Sequence, residues 1–484
     1  MAPVIRQATT VRVFASWVDV RSFGARGGGA DDSQAFQAAV DSGASAIFVP
    51  EGTWRLREVE LRSNLTIVGN GSSTRLLAYR RTQAGDPNDP YSDTVFRGDG
   101  LRNVTLRDLT FDGSFTTGSS VTGAHWSDLR SMIDLSNCDD VTVEGVTFTG
   151  FKGAVVTGGT PSDDPLLNSK NGVAHFADCR NVRLVNCRLA PPTFTEGVHL
   201  LNCVDVQVDN FLVDGGSDVT YRVSTPLHAW GPLTERISVT GGVFTNYSGS
   251  VMNLGGKGIF NVIAPTFSGR GIDFGAEHQH MKFADHPVCT GVNIVAPNGG
   301  GSDSYLVQFG GHHDGAPYLL RDISLTGGVL RGGLNGVVAR QVDGLVVHAV
   351  TIHDVAFSSG GAEGIGVLVD RSRAVTIAGS HVFGADSCKT NILVRDTSMA
   401  QVTENQCGEA HDHNIFLDTA ADDAMTDARV AGNTCRNMDV APTTPIRLGR
   451  GVAYRLASVL HEGNVVNGRR ATGADISVNA VIEL

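Results

Sequence analysis

A short phrase recurs along the chain: a polar turn, then an apolar–polar–apolar alternation of the V-x-V kind. It reads "LRNVTLRDLTFDG", "CDDVTVEGVTFTG", "CRNVRLVNCRLA" and "CVDVQVDNFLVDG", and later "LRDISLTGGVLRG" and "SRAVTIAGSHVFG". Alternation with period two buries one side of a strand and leaves the other outside. Aligned on the first apolar residue, the phrases anchor at Val104, Val141, Val182, Val206, Ile237, Val262, Val292, Ile323, Leu345, Val375, Val402 and Val430. The steps between anchors run from 22 to 31 residues, apart from two early steps of 37 and 41 that hold loop-like inserts such as "TGGTPSDDPLLNSKNG".

A unit of this length, built of short strands without a helix, cannot bury its apolar face alone. Stacked units share one continuous core. The expected fold is therefore all-β, a right-handed parallel β-helix of about 12 coils by the anchor count. Leucine-rich repeats have a similar period, but their L-x-x-L-x-L pattern is missing. Propeller blades need ~40–45 residues each, more than the regular steps supply.

The cysteines follow the same register. Cys138, Cys179, Cys203 and Cys289 each lie three residues before an anchor, and Cys187, Cys407 and Cys435 each lie five after one. Cys388 falls outside both rows. They read as small buried residues stacked coil on coil, with Cys179/Cys203 and Cys407/Cys435 close enough on adjacent coils to permit a disulfide. No paired C-x-x-C motif points to a metal, and no cofactor is expected. No apolar run reaches the ~18 residues of a membrane span, and a net charge of −12 speaks against nucleic acid.

Residues 18–56, "VDVRSFGARGGGADDSQAFQAAVDSGASAIFVPEGTWRL", hold the one clear helical segment. Asp32 is in N-cap position and Gly43 ends the helix. A short helix here would cap the open end of the stack. This stretch resembles the start of the pectate-lyase-like β-helix superfamily, whose "DV-x-x-FGA-x-GDG-x-x-DD" phrase leads into a capping helix and a "V-x-x-P-x-G-x-Y" strand. Asp19, Val20, Phe23, Gly24, Ala25, Asp31, Asp32, Pro50 and Gly52 match it. The resemblance implies fold more than activity. The superfamily includes polysaccharide lyases, glycoside hydrolases, uronate epimerases and trimeric phage tailspikes. The N-T-D…D-D…G-H-G set of polygalacturonases is missing. "EGVHLLN" lacks the Asp-Pro of the D-P-H-E segment found in uronate epimerases. The chain divides into an arm (1–17), a capping helix with the first coil (18–76), the β-helix (77–470) and a tail (471–484).

The strand before each anchor carries candidate chemistry. In "MIDL", "VAHF", "GVHL", "PLHA", "VMNL", "HMKF" and "LVQF" the apolar residues face the core and the third residue faces out. The outward residues Asp134, His175, His199, His228, Asn253, Lys282 and Gln308 should form one column. The inserts at 77–94, 112–130 and 158–172 could wall it as a groove. Later coils place Val338, Leu368, Leu393 and Phe416 at the same position. An exposed apolar stripe of this kind marks an interface, here between chains of a homotrimer or beneath a loop or the tail. "EHQH" (Glu277, His278, His280) and "HDH" (His411, Asp412, His413) are weaker metal candidates, and "GGHHDG" (His312, His313, Asp314) reads as a polar turn.

A column at strand spacing suits an extended glycan, whose rings repeat at ~5 Å. In one chemistry a uronate loses its C5 proton to an imidazole. His199 is the first candidate, with His175 and His228 beside it, Glu196 on the approach, Lys282 and Asn253 facing the carboxylate and Gln308 binding further along. In the other, two carboxylates among Asp134, Glu196 and Glu277 hydrolyse a glycosidic bond. The N-terminal stretch shows no apolar secretory region, and a tailspike leaves the cell by lysis. The leading expectation is a trimeric, tailspike-like protein of a phage virion that binds and degrades a bacterial surface polysaccharide, with its arm docking to other virion proteins. The alternatives are a free-standing extracellular lyase or epimerase, and a non-catalytic adhesive β-helix.

Overall fold

The computed structural model describes residues 16–83, 86–114, 131–151, 172–193, 196–217, 223–275, 288–301, 305–310, 320–355, 364–384, 388–418, 425–436, 445–448, 455–457, 460–467, 469–471, 476–478 and 481–483. Among them the chain winds repeatedly through three long sheets, giving a parallel β-helix. Sheet A holds 16 strands, sheet B 16 and sheet C 15, each paired in parallel with the equivalent strand of the coil before and after. Two short antiparallel pairings lie apart from this pattern, Arg80–Gln83 with Asp86–Ser92 and Val465–Val466 with Arg469–Arg470. The winding exceeds the twelve coils of the anchor count. Strands at Trp17–Asp19, Ala46–Phe48 and Leu65–Val68 extend sheet A before Val104, and Leu460–Glu462 extends it after Val430.

Sheet A carries the V-x-V phrase. Val104, Val141, Val182, Val206 and Ile237 are ladder neighbours, as the alignment requires. Ile237 then pairs with Phe260, not Val262, and Val375 with Ala400, not Val402. Val262, Val402 and Val430 thus sit two positions beyond the anchor row. A slip of two keeps every side chain on its own face, whereas a slip of one would have inverted the strand. The same correction separates the cysteines. Cys407 and Cys435 are true partners in sheet B, below Val382. Cys187 precedes the strand Arg188–Leu189, at the corner between sheets A and B.

The corners explain the polar part of the phrase. Asn137, Asp178, Asn186, Asn202 and Asn210 all have φ between 51° and 54°, where the short polar side chains of Asn and Asp are best tolerated. They hydrogen-bond from coil to coil, Asn202 Nδ2 to Asp178 at 3.1 Å and Asn210 Nδ2 to Asn186 at 2.9 Å. In the last coils a buried asparagine ladder fills the A–B corner. Asn405 N and Nδ2 both donate to Asn433 Oδ1, Asn433 donates likewise to Asn464 Oδ1, and Asn433 Nδ2 also reaches Val402 O at 2.8 Å.

Inside, phenylalanines stack along the axis. Phe111 and Phe148 are 5.5 Å apart and Phe274 and Phe309 5.8 Å, in stacked geometry. A helix, Ser33–Asp41, lies at the first coils and contributes Phe36, Ala39 and Val40 to the core. Asp32 precedes it, but its carboxylate makes no cap. It accepts instead from Arg26 N at 2.7 Å and Gly27 N at 3.0 Å and so ties down the glycine-rich loop. Gly43, at φ 81°, follows the helix in the left-handed conformation expected there.

The apolar stripe is not exposed. Val338, Leu368, Leu393 and Phe416 pack with Tyr305 and Ile365 in a buried cluster of the single chain. The stripe therefore gives no support to a homotrimer: the chain itself removes this surface from water.

All eight cysteines are buried free thiols. Burial pushes the thiols of Cys187, Cys289, Cys388 and Cys435 up to about 12. Thiolate is the reactive form, so a thiol reagent should label none of the eight in the native protein and all of them in denaturant. Rapid native labelling of any of them would contradict this packing. The asparagine ladder gives a second expectation. Asn433→Ala leaves buried groups open at about 1–3 kcal/mol each, so the urea midpoint should fall clearly. A midpoint unchanged within ~0.5 kcal/mol would match only a surface residue.

Candidate functional site

The expected column exists on the outer face of sheet C. Asp134, His175, His199, His228 and Asn253 are ladder partners in that order, one rung per coil. Their neighbours Ile133, Leu135, Val198 and Leu200 are in the core. Asn253 then pairs with Asp273, and Asp273 with Gln308. The rung assigned to Lys282 thus belongs to Asp273, and Lys282 lies outside the described residues. "GIDF" carries the same signal as "MIDL". It was passed over because a short coil there is followed by a long connection in which "HMKF" imitates a rung. Arg97 extends the column before Asp134, and Val338, Leu368, Leu393, Phe416 and Arg447 continue it after Gln308.

Outward does not mean exposed here. His175, His199, His228, Asp273 and Gln308 are all buried. Beside them on the same face Ala177, Leu201 and Trp230 form a small buried apolar cluster, with the His228 and Trp230 rings 5.8 Å apart. The open histidine groove of the sequence reading is therefore closed over its imidazoles. Around the imidazoles water reaches two carboxylates, 18% of the Asp134 side chain and 27% of the Glu196 side chain being exposed, and Asn253 further along is partly exposed.

Each carboxylate is backed by imidazole. Asp134 Oδ1 lies 2.8 Å from His175 Nδ1. A carboxylate only accepts, so the ring donates from Nδ1. Glu196 Oε2 touches His199 Nε2 and lies 3.4 Å from His228 Nδ1. The two imidazoles meet edge to face, 4.8 Å between centroids. Burial works to raise the Glu196 pKa, but the His199 charge and the contacts with both rings outweigh it and hold the carboxyl well below its usual range. Among the described residues these are the three His, Cys, Asp or Glu side chains with ligand atoms close enough, within 4.8 Å of one another, to share a metal ion.

A second row, three residues before the column, was read from the sequence only at Glu196. Glu196, Ser250, Arg270 and Tyr305 occupy it. Tyr305 Oη donates to Asp273 Oδ2 at 2.5 Å and lies 3.2 Å from Ser250 Oγ, and the Arg270 guanidinium sits 5.0 Å from the centre of its ring. The legible signal was the glycine shared by "EGVHL" and "RGIDF". A Cβ on Gly197 would lie 1.9 Å from Pro226 O, and one on Gly271 1.6 Å from Leu306 O. The strand start is pressed against the next coil, and this close approach turns the preceding side chain out beside the column.

Of the weaker candidates, His411 Nδ1 pairs with Asp412 Oδ1 at 2.8 Å on the exposed surface, and His413 is buried against Phe416. Glu277, His278, His280, His312, His313 and Asp314 lie outside the described residues, as do 84–85, 115–130 and 158–171 of the expected walls.

Gly197→Ala should cost about 1–3 kcal/mol or more, because backbone rather than a side chain must move. It should also displace His199. Thermal melting checks this, and a variant as stable as the parent would refute the close approach.

Residues 17–154 match the family model described as rhamnogalacturonase A/epimerase, pectate lyase-like. The preneck appendage protein of Bacillus phage PZA is 26% identical over 219 residues, 41% of this chain and 25% of that protein, so the match spans about a quarter of the relative's length. Among solved structures, the surface adhesin PfbA of Streptococcus pneumoniae aligns with TM-score 0.49 and 16% identity over 82% of this chain and 90% of its own. Tailspike protein 3 of bacteriophage CBA120 aligns with TM-score 0.37 and 12% identity, over 96% and 61%. Over residues 17–154 the chain is thus similar to the pectate-lyase-like family of rhamnogalacturonase A and epimerase.

Proposed function

We propose that this chain is a virion-associated β-helix protein that binds a bacterial surface polysaccharide along the outer face of sheet C and degrades it there. The observation that carries the reading is the unbroken polar column from Asp134 to Gln308, one rung per coil. Its ~4.8 Å rise is close to the ~5 Å repeat of an extended glycan. The similarity to a phage preneck appendage protein supports the virion location.

The reaction the column favours is removal of a ring proton next to a uronate carboxylate. The base is the Asp134–His175 pair, in place of His199 alone. The buried His175 ring donates from Nδ1 to the Asp134 carboxylate, and that carboxylate, at the solvent edge, is the group that takes the proton. Asn253, further along and partly exposed, would bind a neighbouring sugar, and Gln308 would support the column from its buried rung.

The test is a panel of capsular and wall polysaccharides, scored for binding, for reducing ends and for an ultraviolet-absorbing unsaturated product. Asp134→Asn keeps the shape but removes the basic carboxylate, so cleavage should fall ~10²–10⁴-fold with binding retained. A folded variant with full activity would remove the pair from the chemistry. Binding without cleavage by the parent protein would leave an adhesin, and reducing ends without unsaturation would mean hydrolysis.

A further inference from the structure

We propose that Glu196, His199 and His228 form a site for one divalent transition cation of the zinc class. It goes beyond the function above and rests on it only in taking the same face of sheet C as the working surface.

In-register parallel pairing sets His199 and His228 side by side, Cα against Cα, on consecutive coils. Two imidazoles in that position repel if both are protonated, and need a shared partner if both are neutral. Glu196 enters from the start of the His199 strand and reaches both rings. Its oxygen and His228 Nδ1 are 3.4 Å apart. Two ligands bonded at ~2.1 Å to a tetrahedral zinc are separated by about 3.4 Å, so this pair already has the spacing, whereas the Glu196 oxygen lies closer to His199 Nε2 and must turn away from it as a cation enters. Two nitrogens and one carboxylate oxygen form a ligand set that suits zinc, cobalt or nickel better than calcium or magnesium.

A second observation singles out His199. The residue is 1% exposed, and neither ring nitrogen has a hydrogen-bond partner among the described residues. The Glu196 oxygen lies against Nε2 without hydrogen-bond alignment. A buried imidazole left so is costly, and a metal bond relieves that cost. Glu196 is the least buried of the three, with room to turn as a cation enters. The fourth position is left to water or to a sugar oxygen.

The experiment uses the full chain, stripped with a chelator and titrated with cobalt(II) while visible absorption is followed, then with zinc(II) as competitor. One cobalt per chain should bind with the bands of nitrogen and oxygen ligation, and zinc should displace it. Glu196→Gln and His228→Ala should each weaken binding by about 100-fold or more, at least the loss typical of disturbing a supporting residue. His411→Ala, on an exposed histidine elsewhere, should leave binding intact. Glu196→Gln is nearly isosteric and partly exposed, so it serves even if His228→Ala fails to fold. No cobalt bound to the folded parent, or equal binding in both site variants, would overturn the proposal. Binding is read without glycan, so inactivity on every polysaccharide leaves the site standing, and loss of the site leaves Asp134-dependent cleavage to be judged separately.

Discussion

Every coil of this protein repeats its neighbour at the spacing of a parallel hydrogen-bond ladder, and that constraint governs the rest. A side chain on one coil has a neighbour ~4.8 Å above and another below. Like residues therefore meet like residues: phenylalanine on phenylalanine in the core, asparagine on asparagine at the corner, histidine on histidine outside. Apolar pairs gain from this contact directly. Asparagine gains because each amide both donates and accepts, so Asn405, Asn433 and Asn464 close a chain of bonds without a mismatch. Charged or ionisable side chains gain nothing from a like neighbour. They persist only where another group resolves the conflict.

The column on sheet C shows how that resolution works. Asp134 and His175 are unlike, and the rung between them is a hydrogen bond. His199 and His228 are alike, and the residue that reconciles them, Glu196, comes from outside the rung. Asp273 stands between two amides, Asn253 and Gln308, and Tyr305 comes in from the second row to donate to it. The second row is thus what makes a polar column tolerable on a face this well buried, and Gly197 and Gly271 make the second row possible.

The ladder also decides what could be read from the sequence. Period two and a recurring step are properties of the phrase itself, so the stacked coils, the core positions and six of the seven proposed rungs were legible. What failed was counting through coils of unequal length. Phe260 and Ala400 were passed over for Val262 and Val402 because any apolar residue at the right parity satisfies the pattern. Asp273 lost its rung to Lys282 for the same reason. Burial of the outward positions was not legible. An outward position on a strand is exposed only if nothing lies across it, and Val338, Leu368, Leu393 and Phe416 read as a contact surface although the chain buries them itself.

That burial changes the chemistry more than it changes the fold. An imidazole in an open groove would meet a sugar directly. Here the imidazoles stand behind carboxylates, and only the carboxylates touch water. Burial strengthens each imidazole–carboxylate contact, since little solvent competes with it. It also leaves two quite different arrangements on one face. Asp134–His175 is an aligned donor–acceptor pair that needs nothing further. Glu196–His199–His228 has three ligand atoms converging and a ring whose nitrogens find no hydrogen bond among the described residues. The first is complete as a proton-handling unit. The second is complete only with something held between its three arms, and two imidazoles and a carboxylate select a cation for that place.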